Sequence, residues 1–198
     1  MADVAVRKRL NPAARKQQLL EAAIELFAEQ GIGEAKHADI ARSVGISTAA
    51  TFVYFPTREA LLNDVVEEIG RYYLAMFEGL EPHTGGAAEI LKQLAGRSMS
   101  TNEQRPNYMR VWLGWSTRFD SGLRSKYLHF QEQMLSKLSE VLWACEDSIS
   151  RENRDDARIL MSAAQALSLM KIDGEPEEKL ARFTDHTINV VLAYNHKD

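Results

Sequence analysis

The stretch from Lys36 to Leu62, KHADIARSVGISTAATFVYFPTREALL, constrains this chain more than any other. Ala38, Ile40, Ala41 and Val44 fall at one-faced helical spacing. Gly45 ends that helix, because glycine enters a left-handed turn without the strain a Cβ brings. Ser47 is placed to N-cap a second helix, whose apolar side reads as Ala50, Phe52, Val53 and Phe55. Pro56 stops it, since the residue before a proline disfavours helical angles. Thr57 can cap a third helix, in which Leu61 and Leu62 turn inward. Short helix, glycine turn, short helix is the grammar of a helix-turn-helix, whose second helix lies in the DNA major groove.

The rest of the chain reads as helix. Residues 1–10 lack periodicity and form a basic arm. Asn11-Pro12 opens a helix with an N-cap and a proline at the first position. Its stripe is Leu19, Leu20, Ala23, Ile24 and Phe27, and Gly31 ends it. A longer helix runs from Arg58 to about Phe77, too apolar for one narrow stripe. Further helices are expected over about 87–101, 106–119, 123–145, 155–172 and 176–194. No alternating strand pattern occurs. The fold class is therefore all-α. A three-helix helix-turn-helix domain, 11–57, is followed by a larger helical domain, 58–198.

Charge and chemistry exclude several functions. The net charge is −4, yet residues 1–60 hold eight Lys and Arg against seven Asp and Glu. Five of those cations (Arg7, Lys8, Arg9, Arg15, Lys16) fall in the first twenty residues against Asp3 alone. Local rather than net charge sets attraction to phosphate, so only one end of the molecule is expected to approach DNA. The arm reads as a solubilising terminus by itself; beside a helix-turn-helix it reads as a minor-groove contact through Arg7 and Arg9. No apolar run reaches the roughly 18 residues of a membrane helix, and the N-terminus lacks a signal-peptide core, which places the protein in the cytoplasm. One cysteine, Cys145, excludes an intrachain disulfide. The five histidines show no metal-binding spacing. Paired carboxylates such as Glu67/Glu68 sit in polar settings and read as solvated surface. No G-x-S-x-G or phosphate-cradling glycine loop occurs, so no enzyme activity and no cofactor are expected.

The segments DIARSVGIS and TFVYFPTREALL resemble the signature of the TetR family of bacterial transcription regulators. With HADIA, YFPTRE and the downstream VWLGW, they are similar to the branch holding the quorum-sensing master regulators of vibrios. The resemblance implies a homodimer on a pseudo-palindromic operator, with repression as the default sign and activation also within the branch. Ser47, Thr48 and Thr51 are expected on the exposed side of the second short helix, where base edges are reached. Ala49 and Ala50 let that helix sit deep and can meet a thymine methyl. Tyr54, Thr57 and Arg58 resemble the family's clamp on phosphate oxygens. Departures occur at Val53, where the vibrio regulators carry asparagine, and at Ala50, where they carry a β-branched hydroxyl residue. Lys36 replaces the small residue or threonine that usually caps the first short helix. Operator identity therefore does not carry over.

Two further sites are expected in the larger domain. Trp112 and Trp115, three apart, share a side with Met109. Phe130, Met134 and Leu138 can oppose them, as can Tyr73 and Met76. Spacing alone fits a filled aromatic–methionine core or an apolar pocket between helices; the resemblance implies a pocket for a small apolar or amphipathic ligand. Leu160, Ala163, Ala164 and Leu167 on one helix, with Phe183, Ile188 and Val191 on the next, fit plain core or a helix pair meeting its symmetry mate. The resemblance implies the dimer interface. The competing reading is a lipid- or isoprenoid-binding helical module without DNA binding, which needs neither the arm nor the clamp.

Overall fold

The computed structural model describes residues 10–80, 86–145 and 154–194. Their regular structure is helical throughout: α1 (Pro12–Gln30), α2 (His37–Val44), α3 (Thr48–Tyr54), α4 (Arg58–Leu74), α5 (Gly86–Gln104), α6 (Pro106–Ser116), α7 (Ser121–Cys145), α8 (Asp155–Ile172) and α9 (Glu177–Tyr194). The chain forms two compact units, Met1–Glu67 and Glu68–Asp198, which divide within α4.

In the first unit, α1 starts where the sequence places it. The Asn11 side chain accepts from the Ala14 N–H at 2.8 Å, with Pro12 in the first turn. Its stripe of Leu19, Ala23, Ile24 and Phe27 is buried with Ile40 and Ala41 of α2, with Phe55, and with Leu61 and Val65 of α4. α2 ends in a Schellman motif. The Gly45 N–H bonds the Arg42 carbonyl and the Ile46 N–H the Ala41 carbonyl. Gly45 has φ 71°, which the motif requires and glycine supplies at little cost.

Lys36 stands at the N-cap of α2 with no acceptor on its side chain to cap with. The helix closes itself from inside instead, as the Asp39 carboxylate accepts from the Lys36 backbone N–H at 3.0 Å. Asp39 also places a negative charge in the first turn, where the helix dipole favours it.

In the second unit α5 is the shared helix, touching α6, α7, α8 and α9. α4 ends three residues short of the expected Phe77, and Ala75–Phe77 tightens into a 3₁₀ turn. α6 stops at Ser116 rather than Phe119. Asp120 is the reason α7 begins early, since its carboxylate accepts from the Leu123 N–H at 3.2 Å. A buried polar chain crosses this unit. The Tyr73 hydroxyl donates to Asn102 Oδ1 at 3.3 Å, and Asn102 Nδ2 donates to Ser168 Oγ at 3.0 Å. Ser168 then donates to the Ala164 carbonyl at 2.9 Å. Among the described residues, no helix is long and apolar enough to cross a membrane.

Candidate DNA interface and ligand cavity

α3 is seven residues long, and its roll about its own axis decides which of them meet a groove. Ser47 Oγ accepts from the Ala50 N–H at 3.2 Å and starts the helix. At the other end the His37 Nε2–H donates to the Phe55 carbonyl at 2.8 Å, while the His37 ring stacks on Phe52 at 4.3 Å between centroids. His37 is buried. It thus ties the start of α2 to the end of α3, a structural role that suits its position.

With the roll so fixed, the inward residues are Thr51, fully buried at 0% exposure, and Phe55 just past the helix end. Phe52 is 45% exposed and Val53 76%. This corrects two expectations. Thr51 does not project toward base edges, and Phe52 and Val53 do not belong to the apolar underside. The reason is geometric. The stripe that continues from Ser47 at helical spacing passes through Thr51 and Tyr54, not through Phe52 and Val53. A β-branched threonine fills a core position much as valine would, and hydropathy alone ranks the two residues the wrong way round. The cost is a buried Thr51 hydroxyl with no hydrogen-bond partner.

The outer face of α3 then carries Thr48, Ala49, Phe52 and Val53, all exposed, with Ala50 half-buried at its edge. Tyr54 is half-buried, and Thr57 and Arg58 are exposed. Thr57 Oγ1 accepts from the Ala60 N–H at 3.0 Å, capping α4, and its proton stays available to an external acceptor. Arg58 is the first residue of α4, where the positive end of the helix dipole opposes a cation. Folding gains nothing from a guanidinium there, whereas a phosphate oxygen at the same helix end meets both charge and backbone N–H groups. Arg42 adds a further exposed cation from α2. Arg7 and Arg9 lie outside the described residues.

The second unit holds a cavity of about 90 Å³. At the 10–15 Å³ one water occupies, that is room for about six to nine water-sized groups. Of the residues expected at a ligand pocket, Tyr73, Met76, Trp112, Met134 and Leu138 line this cavity. Met109, Trp115 and Phe130 are not among its lining residues, although all three are buried. Trp115 donates from Nε1 to the Leu123 carbonyl at 2.9 Å and packs against Phe130 and Tyr127 at 5.4 and 5.5 Å. Phe130 in turn covers Gly70, where an added Cβ would meet its ring at 3.3 Å. Three residues of helix turn a side chain by about 60° from the first, enough to send Trp112 to the cavity and Trp115 to a solid aromatic cluster.

The rest of the wall comes from residues expected elsewhere. Leu160, Ala163, Ala164, Leu167 and Ile188 line the cavity, and Val191 is buried within the protomer. Leu160, Ala163 and Ala164 are half-buried there; of the seven residues expected at the dimer interface, only Phe183 is neither buried nor part of that wall. Small side chains at Ala163 and Ala164 leave the space that the cavity occupies. Among the described residues, no charged side chain lines it. Its polar groups are Ser98, Thr184, Thr187, Tyr73 and Trp112. Thr184 and Thr187 already donate to the Leu180 and Phe183 carbonyls at 2.9 Å each. Away from the cavity α8 exposes Ile159, Leu169 and Ile172 among polar residues such as Arg158 and Ser162, and Val190 is exposed on α9.

Residues 19–65 match the family model described as bacterial regulatory proteins, tetR family. The chain is 38% identical over 113 residues to the HTH-type transcriptional regulator LuxR of Vibrio harveyi. That alignment spans 56% of this chain and about half, 54%, of the relative's length. It is also 26% identical over 149 residues to the regulator BetI of Escherichia coli K12, covering 72% of this chain and 74% of that one. Among solved structures, a TetR-like transcriptional regulator from Rhodococcus sp. RHA1 superposes with a TM-score of 0.75 at 17% identity, over 96% of this chain and all of that one. A fatty acid degradation regulator, FadR from Bacillus halodurans, gives a TM-score of 0.71 at 20% identity, over 93% and 97%.

Proposed function

We propose that this chain, a TetR-family regulator by its N-terminal domain and its fold, controls transcription by binding a pseudo-palindromic operator as a homodimer. The observation that carries the reading is the capped α2–α3 pair. Its second helix is locked by Ser47 and His37 and presents an open outer face beside the Thr57 hydroxyl and the Arg58 guanidinium, which suit contact with DNA phosphates. A module that only bound lipid would have no use for that face. Repression is the default sign, the cytoplasm the site of action, and quorum sensing the process to which the vibrio resemblance points.

Dimerisation is assigned to the outer face of α8 with α9, through Ile159, Leu169, Ile172 and Val190. A twofold pair of such chains sets two recognition helices about 34–36 Å apart, one turn of DNA, or a multiple of it. The cavity is assigned to a small neutral ligand, because an ion brought there would meet no opposite charge and lose its hydration. Such a ligand changes operator affinity only to the extent that it binds the two states unequally.

Selection from a library of random duplexes by the full chain tests the reading. Enrichment of an inverted repeat is the expected outcome. A library that emerges without any enriched sequence contradicts sequence-specific binding.

A further inference from the structure

α3 lacks the side chains with which a recognition helix usually distinguishes bases by hydrogen bonds. Its sequence, TAATFVY, contains no Arg, Lys, Asn, Gln, Asp or Glu. Bidentate pairing with guanine needs Arg or Lys, pairing with adenine needs Asn or Gln, and acceptance from cytosine needs Asp or Glu. Thr51 is buried, so the hydroxyls left open to a base are Thr48 on the outer face and the capping Ser47 just before it, whose proton is free. The remainder of that face is hydrocarbon, and Val53, at 76% exposure, is its most open large side chain.

A β-branched valine held this far into solvent stabilises nothing in the free protein. In a major groove the one apolar group at a base edge is the 5-methyl of thymine. Ala49 and Val53 are four residues apart, neighbours on one helix face with Cβ atoms about 5–6 Å apart. That spacing reaches methyl groups on adjacent base pairs, which rise about 3.4 Å each.

We propose that this regulator reads its operator chiefly through thymine methyl groups, with Val53 and Ala49 as the specificity-determining contacts. Arg58 and Thr57 set the register on phosphates, and α3 sorts sequences by the methyls it can cover. The inference rests on the reading that α3 enters the major groove. It predicts T·A pairs under α3 in each half-site.

Deoxyuridine gives a direct test, because it keeps every hydrogen-bonding atom of thymidine and removes only the methyl. Duplexes enriched by the full chain are resynthesised with uracil at each thymine in turn, and affinity is read by fluorescence anisotropy. Uracil at symmetry-related positions in the two half-sites is expected to weaken binding about fourfold per methyl lost, the worth of one buried carbon. Elsewhere it should have no effect. Val53→Ala, at an exposed position that leaves the fold intact by circular dichroism, should erase the uracil penalty at one such pair of positions. Uracil tolerated everywhere on an enriched duplex overturns the proposal and leaves the DNA-binding reading standing. A full uracil penalty retained in Val53→Ala overturns it as well. Failure to enrich any duplex removes the reading and the inference together.

Discussion

Thr51 carries a hydroxyl where the packing uses only its methyl. Its Oγ1 is buried without a partner, a condition that costs on the order of 1–3 kcal/mol in a protein interior. Thr51→Val keeps the shape and removes the stranded group. It should stabilise the protein by roughly 1 kcal/mol, a rise in melting temperature of about 2–4 °C for a chain of this size. Calorimetry that shows Thr51→Val melting lower would mean the hydroxyl has a partner after all. Arg58 is the opposite case, a charge that folding does not need. Arg58→Ala should leave the melting temperature within about 1 °C, since exposed substitutions change stability little. It should also weaken binding to operator and random DNA alike, lowering the salt slope by about 1. A loss confined to the operator would make Arg58 a base reader instead. Which residues punctuate the chain was legible from sequence, because Asn11, Gly45, Ser47 and Thr57 act through local backbone chemistry. Which way α3 rolls was not. Threonine and valine trade places across that helix, and only packing against the neighbouring helices decides between them.

At the scale of elements, α8 carries apolar residues on two sides that look alike in sequence. One lines the cavity through Leu160, Ala163, Ala164 and Leu167; the other carries Ile159, Leu169 and Ile172 into solvent. Apolar residues outside a single stripe signal burial on a second side, but the pattern does not say which side is the protomer's own core. A charge on one side and added bulk on the other separate them. Ile159→Glu should give monomers by size-exclusion chromatography with light scattering, while Ala163→Leu should fill the cavity and leave the dimer intact. A dimer that survives Ile159→Glu, paired with Val190→Glu, would move the interface off this face. The same ambiguity attends α6, where the two tryptophans share a side by spacing yet part company by about 60°. Their identity as a conspicuous pair was legible; their separate duties depended on α7 and on the gap that Gly70 offers to Phe130.

At the scale of the whole molecule, stability and recognition meet different tests. Burial, with a smaller contribution from Tyr72, holds the Tyr73 hydroxyl above the ordinary tyrosine value of 10.0. An acid whose folded value is raised keeps its proton in the folded state after the unfolded chain has lost it. Stability is therefore unaffected below about pH 10 and falls as pH rises past it. Tyr73→Phe should flatten that part of the fall in urea denaturation between pH 9 and 11, and an unchanged slope would assign the fall to other groups. Net charge hides the functional polarity of the chain. The acidic −4 coexists with cations concentrated at the N-terminal end, and phosphate responds to the local arrangement. The measurement that bears most directly on the account is fluorescence anisotropy of the intact protein on an enriched duplex and on a scrambled duplex of equal length, across a salt series. The expected result is a preference of about 10³ or more for the enriched duplex, with both affinities falling as salt rises. Equal affinity for the two duplexes at every salt concentration would contradict it, and leave α3 as scaffold rather than reader.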